Sequence, residues 1–141
     1  MDINATIVVA VIGAAAALVA PALSFFLTKQ KEREAEWRTQ KLDHYKAFMA
    51  ALSAVVGPPA ASEDRVKFAN ATNNISLVGS ADVLVALRTF LKSTADSRTE
   101  EDLRLHDERL TKLIVAIRRD LAIEGTSLPQ DYQFMLWSGR R

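Results

Sequence analysis

Two histidines, His44 and His106, are the only side chains in the sequence that offer imidazole chemistry. Each has an aspartate as its neighbour in the sequence, but adjacent residues on a helix point in different directions, so neither pair is predicted to act as an acid–base couple. The chain contains no cysteine, which excludes disulfides, thiolate ligands and a cysteine nucleophile. Two histidines without HExxH-type spacing do not make a zinc site. We therefore predict no metal site and no cofactor, and we expect His106 to be a core or interface histidine.

No other pattern in the sequence indicates catalysis. The glycines are isolated, so no loop is predicted to cradle a phosphate, and no serine lies in a nucleophile-elbow motif. The carboxylates from Glu100 to Asp102 are explained by the N-terminus of a helix, where negative charge is favourable. A net charge of +1 gives no broad basic surface for nucleic acid. We predict no catalytic residue, no small-molecule substrate and no nucleic-acid partner; an enzyme whose acidic, arginine and histidine residues converge only in the fold is the alternative.

Three asparagines are the candidate contact residues in the remainder of the chain. Asn70, Asn73 and Asn74 are predicted to share one face of a helix, although asparagine is a mediocre helix former. One interpretation is a solvated face; the other is a hydrogen-bonding contact with another helix or with a protein partner.

The N-terminal segment carries no charged residue between Ile3 and Thr28. As a helix, Ala5 to Leu27 would be about 35 Å long, enough to cross a hydrocarbon core of roughly 30 Å. A cleaved signal peptide is a weaker interpretation because no base precedes the run and its apolar core is too long. A surface-lying helix would need a polar face. The sequence therefore predicts a transmembrane anchor over residues 1–28.

The orientation of this anchor follows from the basic residues around it. None precedes the apolar run, whereas six follow closely: Lys29, Lys31, Arg33, Arg38, Lys41 and Lys46. Since basic loops stay inside, we predict a single-pass protein of the inner membrane with its N-terminus outside and its C-terminal domain in the cytoplasm. The first three bases, Lys29, Lys31 and Arg33, are the predicted contacts with lipid headgroups.

Small residues recur at helical spacing inside the predicted span. Such spacing lets two membrane helices approach closely, and the predicted packing positions are Ala10, Gly13, Ala14, Ala17 and Pro21. Proline lacks an amide hydrogen and clashes with the preceding turn, which predicts a kink at Pro21.

The rest of the chain has helical periodicity and no apparent strand pairing, so the predicted fold is all-α, with the anchor continuing into a stalk and a bundle of about four helices. Four apolar stripes at helical spacing are predicted: Leu42, Tyr45, Met49, Leu52 and Val56 with Phe48 on the flank; Val66, Phe68, Ala71, Ile75 and Val78; Val83, Leu84, Leu87, Phe90 and Leu91; and Leu103, His106, Leu110, Leu113, Ile117 and Leu121. The charged residues 29–41 form the predicted stalk, residues 42–125 the bundle and residues 126–141 a tail packed on it. Helix boundaries are predicted from an N-cap at Ser62, a stop at Gly79, a capping box at 99–102 and a C′ glycine at Gly125. In the tail, Tyr132, Phe134 and Leu136 alternate with polar or large residues, which predicts an extended segment or a turn that docks Trp137.

The blocks EWRTQKLDHYKAFMAALS, FANATNNISLVGSADVLVALRTF and HDERLTKLIVAIRRDLAI, with the FMLWSG tail, resemble a family of small bacterial single-span membrane proteins. The resemblance extends over most residues from Glu36 onward and implies a bacterial source and a helical domain, but no activity. The packing-competent anchor, the rod-like stalk and a domain without predicted chemistry instead favour a non-enzymatic, membrane-tethered interaction module that self-assembles or serves as an accessory subunit of a larger membrane complex. A membrane-perturbing effector or sensor that acts through oligomerisation is the alternative.

Overall fold

The computed structural model describes residues 3–56, 60–94, 100–123, 129 and 131–136, with side chains described from residue 17 onward except at 18, 94 and 100–103. Within these residues the fold is all-α, as predicted, and consists of four helices without strands: α1 (Ile3–Val55), α2 (Ser62–Val78), α3 (Ala81–Thr94) and α4 (Glu100–Asp120). The chain divides into two compact units, Met1–Thr39 and Gln40–Arg141.

Helix α1 continues through Pro21 and belongs to both units. In the first unit its described side chains, at residue 17 and at residues 19–39, are all exposed. In the second unit the same helix contributes Tyr45, Phe48 and Leu52 to the core. The predicted stripe thus supplies core residues, and Phe48, which periodicity placed on its flank, is completely buried.

The core of the second unit is formed where all four helices contribute apolar side chains. Its most deeply buried members include Phe48 of α1, Ile75 of α2, Val83 and Phe90 of α3 and Leu113 of α4. Among the described elements, α3 and α4 lie side by side over the longest stretch of backbone. The hydrophobic stripes predicted for these two helices face the core, but Val66 of the α2 stripe is 56% exposed.

The two ends of α2 differ from the prediction in one respect. Ser62 is the first helical residue rather than the N-cap, because Ala61 takes the extended cap conformation (φ −58°, ψ 152°) and no side chain caps the helix. Gly79 ends α2 as predicted. A Cβ at Gly79 would lie 3.0 Å from the Ile75 carbonyl oxygen and 3.2 Å from Val83 Cγ1, so glycine permits the tight connection to α3.

Helix α4 ends earlier than predicted. Ala122 has a left-handed backbone (φ 49°), its N–H donates to the carbonyl of Arg119, and the N–H of Ile123 donates to the carbonyl of Arg118. This pair of bonds is a Schellman motif with Ala122 at C′. The assignment of C′ to Gly125 is therefore wrong; Gly125 itself, the predicted capping box at Thr99 and Trp137 lie outside the described residues.

Candidate functional site

A groove of about 460 Å³ lies between α1 and α2 in the second unit. Its α1 wall is formed by Ala47, Ala50, Ala51 and Ala54, which recur with the i, i+3, i+4 and i+7 spacing of one helix face. Because these side chains end at a methyl group, they leave room for another main chain to approach closely. We call this surface the alanine groove.

The α2 wall of the alanine groove is polar apart from Ala71. It includes Asn70 and Asn74, one turn apart, together with Asp64 and Lys67. Asn73 is exposed and does not line the groove. The structure thus brings two of the three predicted asparagines to one surface and leaves the third outside it.

The two groove asparagines are exposed and make no side-chain hydrogen bond with the described part of the chain. Each carboxamide offers two donors and one acceptor oxygen, so a second helix laid against the alanines could pair with them. Asn70 and Asn74 provide neither a strong base nor a nucleophile, so these two side chains suit recognition through hydrogen bonds.

A partly buried cluster of polar side chains in the second unit joins α1 to the end of α4. Lys41 Nζ donates to both carboxylate oxygens of Asp120 at 2.9 and 3.0 Å, and Tyr45 Oη donates to Asp120 Oδ2 at 2.5 Å. The Lys41 and Asp120 side chains are only 13% and 7% exposed. This cluster, which we call the Asp120 clasp, orients α1 against α4.

The Asp120 clasp shifts two proton affinities. Burial alone would raise the pKa of Asp120, but hydrogen bonds from Tyr45, Lys41 and Ser80, with the charge of Lys41, outweigh it and hold that pKa below its ordinary value. Burial and the neighbouring Asp120 carboxylate raise the pKa of Tyr45. The carboxylate therefore stays ionised and the phenol protonated near neutral pH.

The sequence did not predict the Asp120 clasp because Tyr45 and Lys41 lie 75 and 79 residues before Asp120 in the chain. One signal was available: Asp120 is the last residue of α4, where a negative charge opposes the helix dipole. An acidic side chain at that position suggests a cationic partner elsewhere in the fold.

The histidines do not form a catalytic constellation in the described residues. His106 is partly buried, with its ring centroid 4.9 Å from that of Phe90 and its Nδ1 3.5 Å from Asp107 Oδ1. His106 and Asp107 thus lie near each other although they are neighbours in the sequence, and no hydrogen bond joins these two described side chains. No group of three or more histidine, aspartate or glutamate side chains in the described residues could hold a metal ion.

The structure describes the side chains of only part of the predicted anchor, residues 1–28. In the residues that were described, no helix combines the length and apolarity needed to cross a membrane. Of the predicted packing positions, Ala10, Gly13 and Ala14 lie before the first residue whose burial the structure describes, whereas Ala17 and Pro21 are exposed. Of the predicted headgroup contacts, Lys31 and Arg33 are exposed and Lys29 pairs with Glu32 at 2.6 Å.

Comparison with known proteins adds no relative: no family model, curated protein or solved structure matches the chain.

Proposed function

We propose that the chain is a non-enzymatic, membrane-tethered interaction module that binds a helix of a second copy or of a larger membrane complex. The alanine groove is the observation that carries this proposal. It presents four short side chains in a row on one helix and two asparagines without described partners on the other. A helix seated there would gain close packing along the alanines and hydrogen bonds at Asn70 and Asn74.

The proposed tether is the N-terminal segment. Its described apolar side chains, Val19, Leu23, Phe25, Phe26 and Leu27, are between 52% and 69% exposed. A cluster of large exposed apolar residues marks a membrane or partner surface, and the uncharged run that continues back to Ile3 favours the membrane. The bases that follow favour a cytoplasmic second unit and an inner-membrane location.

The test is the assembly state of the full chain purified in mild detergent, measured by sedimentation and by crosslinking. We expect either a homo-oligomer or a stoichiometric co-purifying membrane protein; the first result identifies a second copy as the partner and the second an accessory role. A strict monomer without any co-purifying protein would overturn the proposal.

Matched asparagine variants assign the interaction to the groove. Asn74→Ala removes hydrogen bonds worth about 1 kcal/mol, so we expect the complex to dissociate at roughly fivefold higher concentration. Asn73→Ala changes the same residue type one position away, outside the groove, and should leave assembly unchanged. Equal effects of both variants would place the interface elsewhere.

A further inference from the structure

A second groove, of about 480 Å³, lies between α3 and α4 and is separate from the alanine groove. Its apolar lining includes Val85 and Ala86 of α3 and Val115 and Ala116 of α4. Val85 is 68% exposed, although Val83 and Leu87 on either side of it are buried. The groove therefore leaves an apolar surface uncovered within the described residues.

The two helices that form this groove run antiparallel. Ser80, just before α3, lies close enough to Asp120 at the end of α4 to lower the pKa of that carboxyl, and Phe90 of α3 contacts His106 near the start of α4. The groove consequently follows two helix axes and is open to an elongated ligand.

Positive charge dominates the sides of this groove. Arg109, Lys112 and Arg119 line it, against the single acid Asp82. Lys112 pairs with Glu108 at 2.6 Å, but both of those side chains are more than half exposed, so this pair is weak and readily exchanged. Arg109 and Arg119 form no ion pair with the described part of the chain.

The spacing of the cations selects the shape of the ligand. Lys112 and Arg119 are seven residues apart on α4, which separates them by about 10 Å along the axis. These two cations can therefore meet two anionic groups about two turns apart on one elongated ligand.

We propose that the α3–α4 groove binds an acidic amphipathic helix of a partner protein. Such a helix would lay its apolar face on Val85 and Val115 and present glutamate or aspartate side chains, two turns apart, to Lys112 and Arg119. This is the helix-in-groove mode of recognition. The stalk of a second copy is a poor fit because bases accompany its acids Glu32, Glu34 and Glu36 and because it lacks an apolar face.

The test uses the full chain in mild uncharged detergent and a fluorescently labelled peptide of about five helical turns. The peptide carries leucines with i, i+3, i+4 and i+7 spacing and two glutamates two turns apart beside them. Fluorescence anisotropy measures its Kd. We expect a control peptide with glutamine for both glutamates to bind at least tenfold more weakly, and raised salt to remove the difference.

Variants of the chain locate the binding. Arg119→Gln should raise Kd about fivefold to tenfold, whereas Lys46→Gln, an equal charge change at an exposed position outside the groove, should not. Val85→Asp should abolish binding, and Leu77→Asp, at a still more exposed apolar residue of α2, should not. Circular dichroism verifies that each variant is folded.

Equal binding of the two peptides, or equal effects of Arg119→Gln and Lys46→Gln, would overturn the proposal. So would displacement of the peptide by phosphatidylglycerol added to the micelles, because the groove would then bind a lipid headgroup. The readout is peptide affinity, so it stays informative if the chain proves to be a monomer and the proposed assembly through the alanine groove fails.

Discussion

Helix α1 contains two apolar stretches whose side chains meet different surroundings. Phe25 and Phe26 are 61% and 69% exposed, whereas Phe48, of the same residue type on the same helix, is completely buried. Phe48 is covered by neighbouring helices, including the ring of Phe68 at 5.6 Å. Residue type and helical structure are thus common to both stretches, and cover by other side chains decides which one becomes core.

This contrast separates two physical roles for apolar residues. In the Tyr45–Leu52 stretch, apolar burial contributes to the folding of the second unit. In the Val19–Leu27 stretch the large apolar side chains stay more than half exposed, so they leave a surface that a membrane or a partner would have to cover.

The largest expected effect on stability comes from removing a ring in the buried stretch of α1. Phe48→Ala should lower the free energy of unfolding of the second unit by about 3 to 5 kcal/mol, because it removes a completely buried ring and leaves a cavity. Denaturant unfolding of the full chain in mild detergent, followed by circular dichroism, measures this. Phe26→Ala is the matched control and should leave the unfolding midpoint unchanged.

If Phe48→Ala prevents folding, Ile75→Val gives a milder version, with an expected loss of about 0.5 to 1.5 kcal/mol. A similar loss from Phe26→Ala would mean that the exposed stretch also stabilises the second unit and would remove the distinction between the two parts of α1.

The contrast between covered and uncovered apolar residues also explains which features of the fold could be predicted from the sequence. The apolar stripes of α3 and α4 could be predicted because the spacing of apolar residues along a helix indicates which face is buried. The local sequence does not show which residues elsewhere in the chain will cover a helix face. Phe48 was therefore predicted on the flank of a stripe although it is completely buried, and Val66 was predicted in a stripe although it is 56% exposed.

The candidate sites were less predictable than the helices. Asn70 and Asn74 could be marked as one face from spacing alone, but the alanines opposite them belong to another helix, and only the fold brings the two together. The α3–α4 groove was also missed, because its two walls belong to different helices. In addition, Arg119 lies near the end of α4, where the helix dipole alone explains a basic residue.

A second prediction compares two ion pairs made by lysines of α1, one nearly buried and one exposed. Asp120→Asn should cost about 2 to 4 kcal/mol of unfolding free energy, because it leaves the Lys41 ammonium partly buried without its carboxylate. Glu32→Gln removes the Lys29–Glu32 pair, whose side chains are both 53% exposed, and should have no measurable effect. Equal effects would show that the Asp120 clasp is no more important than a surface pair.

The same variant has a defined pH dependence. The folded pKa of Asp120 lies below its unfolded value of about 3.9, so its contribution to stability is complete above that pH and disappears as pH falls through the lower folded pKa. The stabilities of the native chain and of Asp120→Asn should therefore differ at neutral pH and converge on acidification. A constant difference down to strong acid would contradict the role of the ionised carboxylate.

The smallest effect concerns the helix end that positions the Asp120 clasp. Ala122→Gly should raise the free energy of unfolding by about 0.5 to 1 kcal/mol, because Ala122 has φ 49° and glycine adopts this conformation without strain. The control, Ala47→Gly at an exposed position inside α1, should change stability by a similar amount in the opposite direction. Both are measured by denaturant unfolding. A loss of stability in Ala122→Gly would show that residue 122 does not keep the left-handed conformation of the Schellman motif.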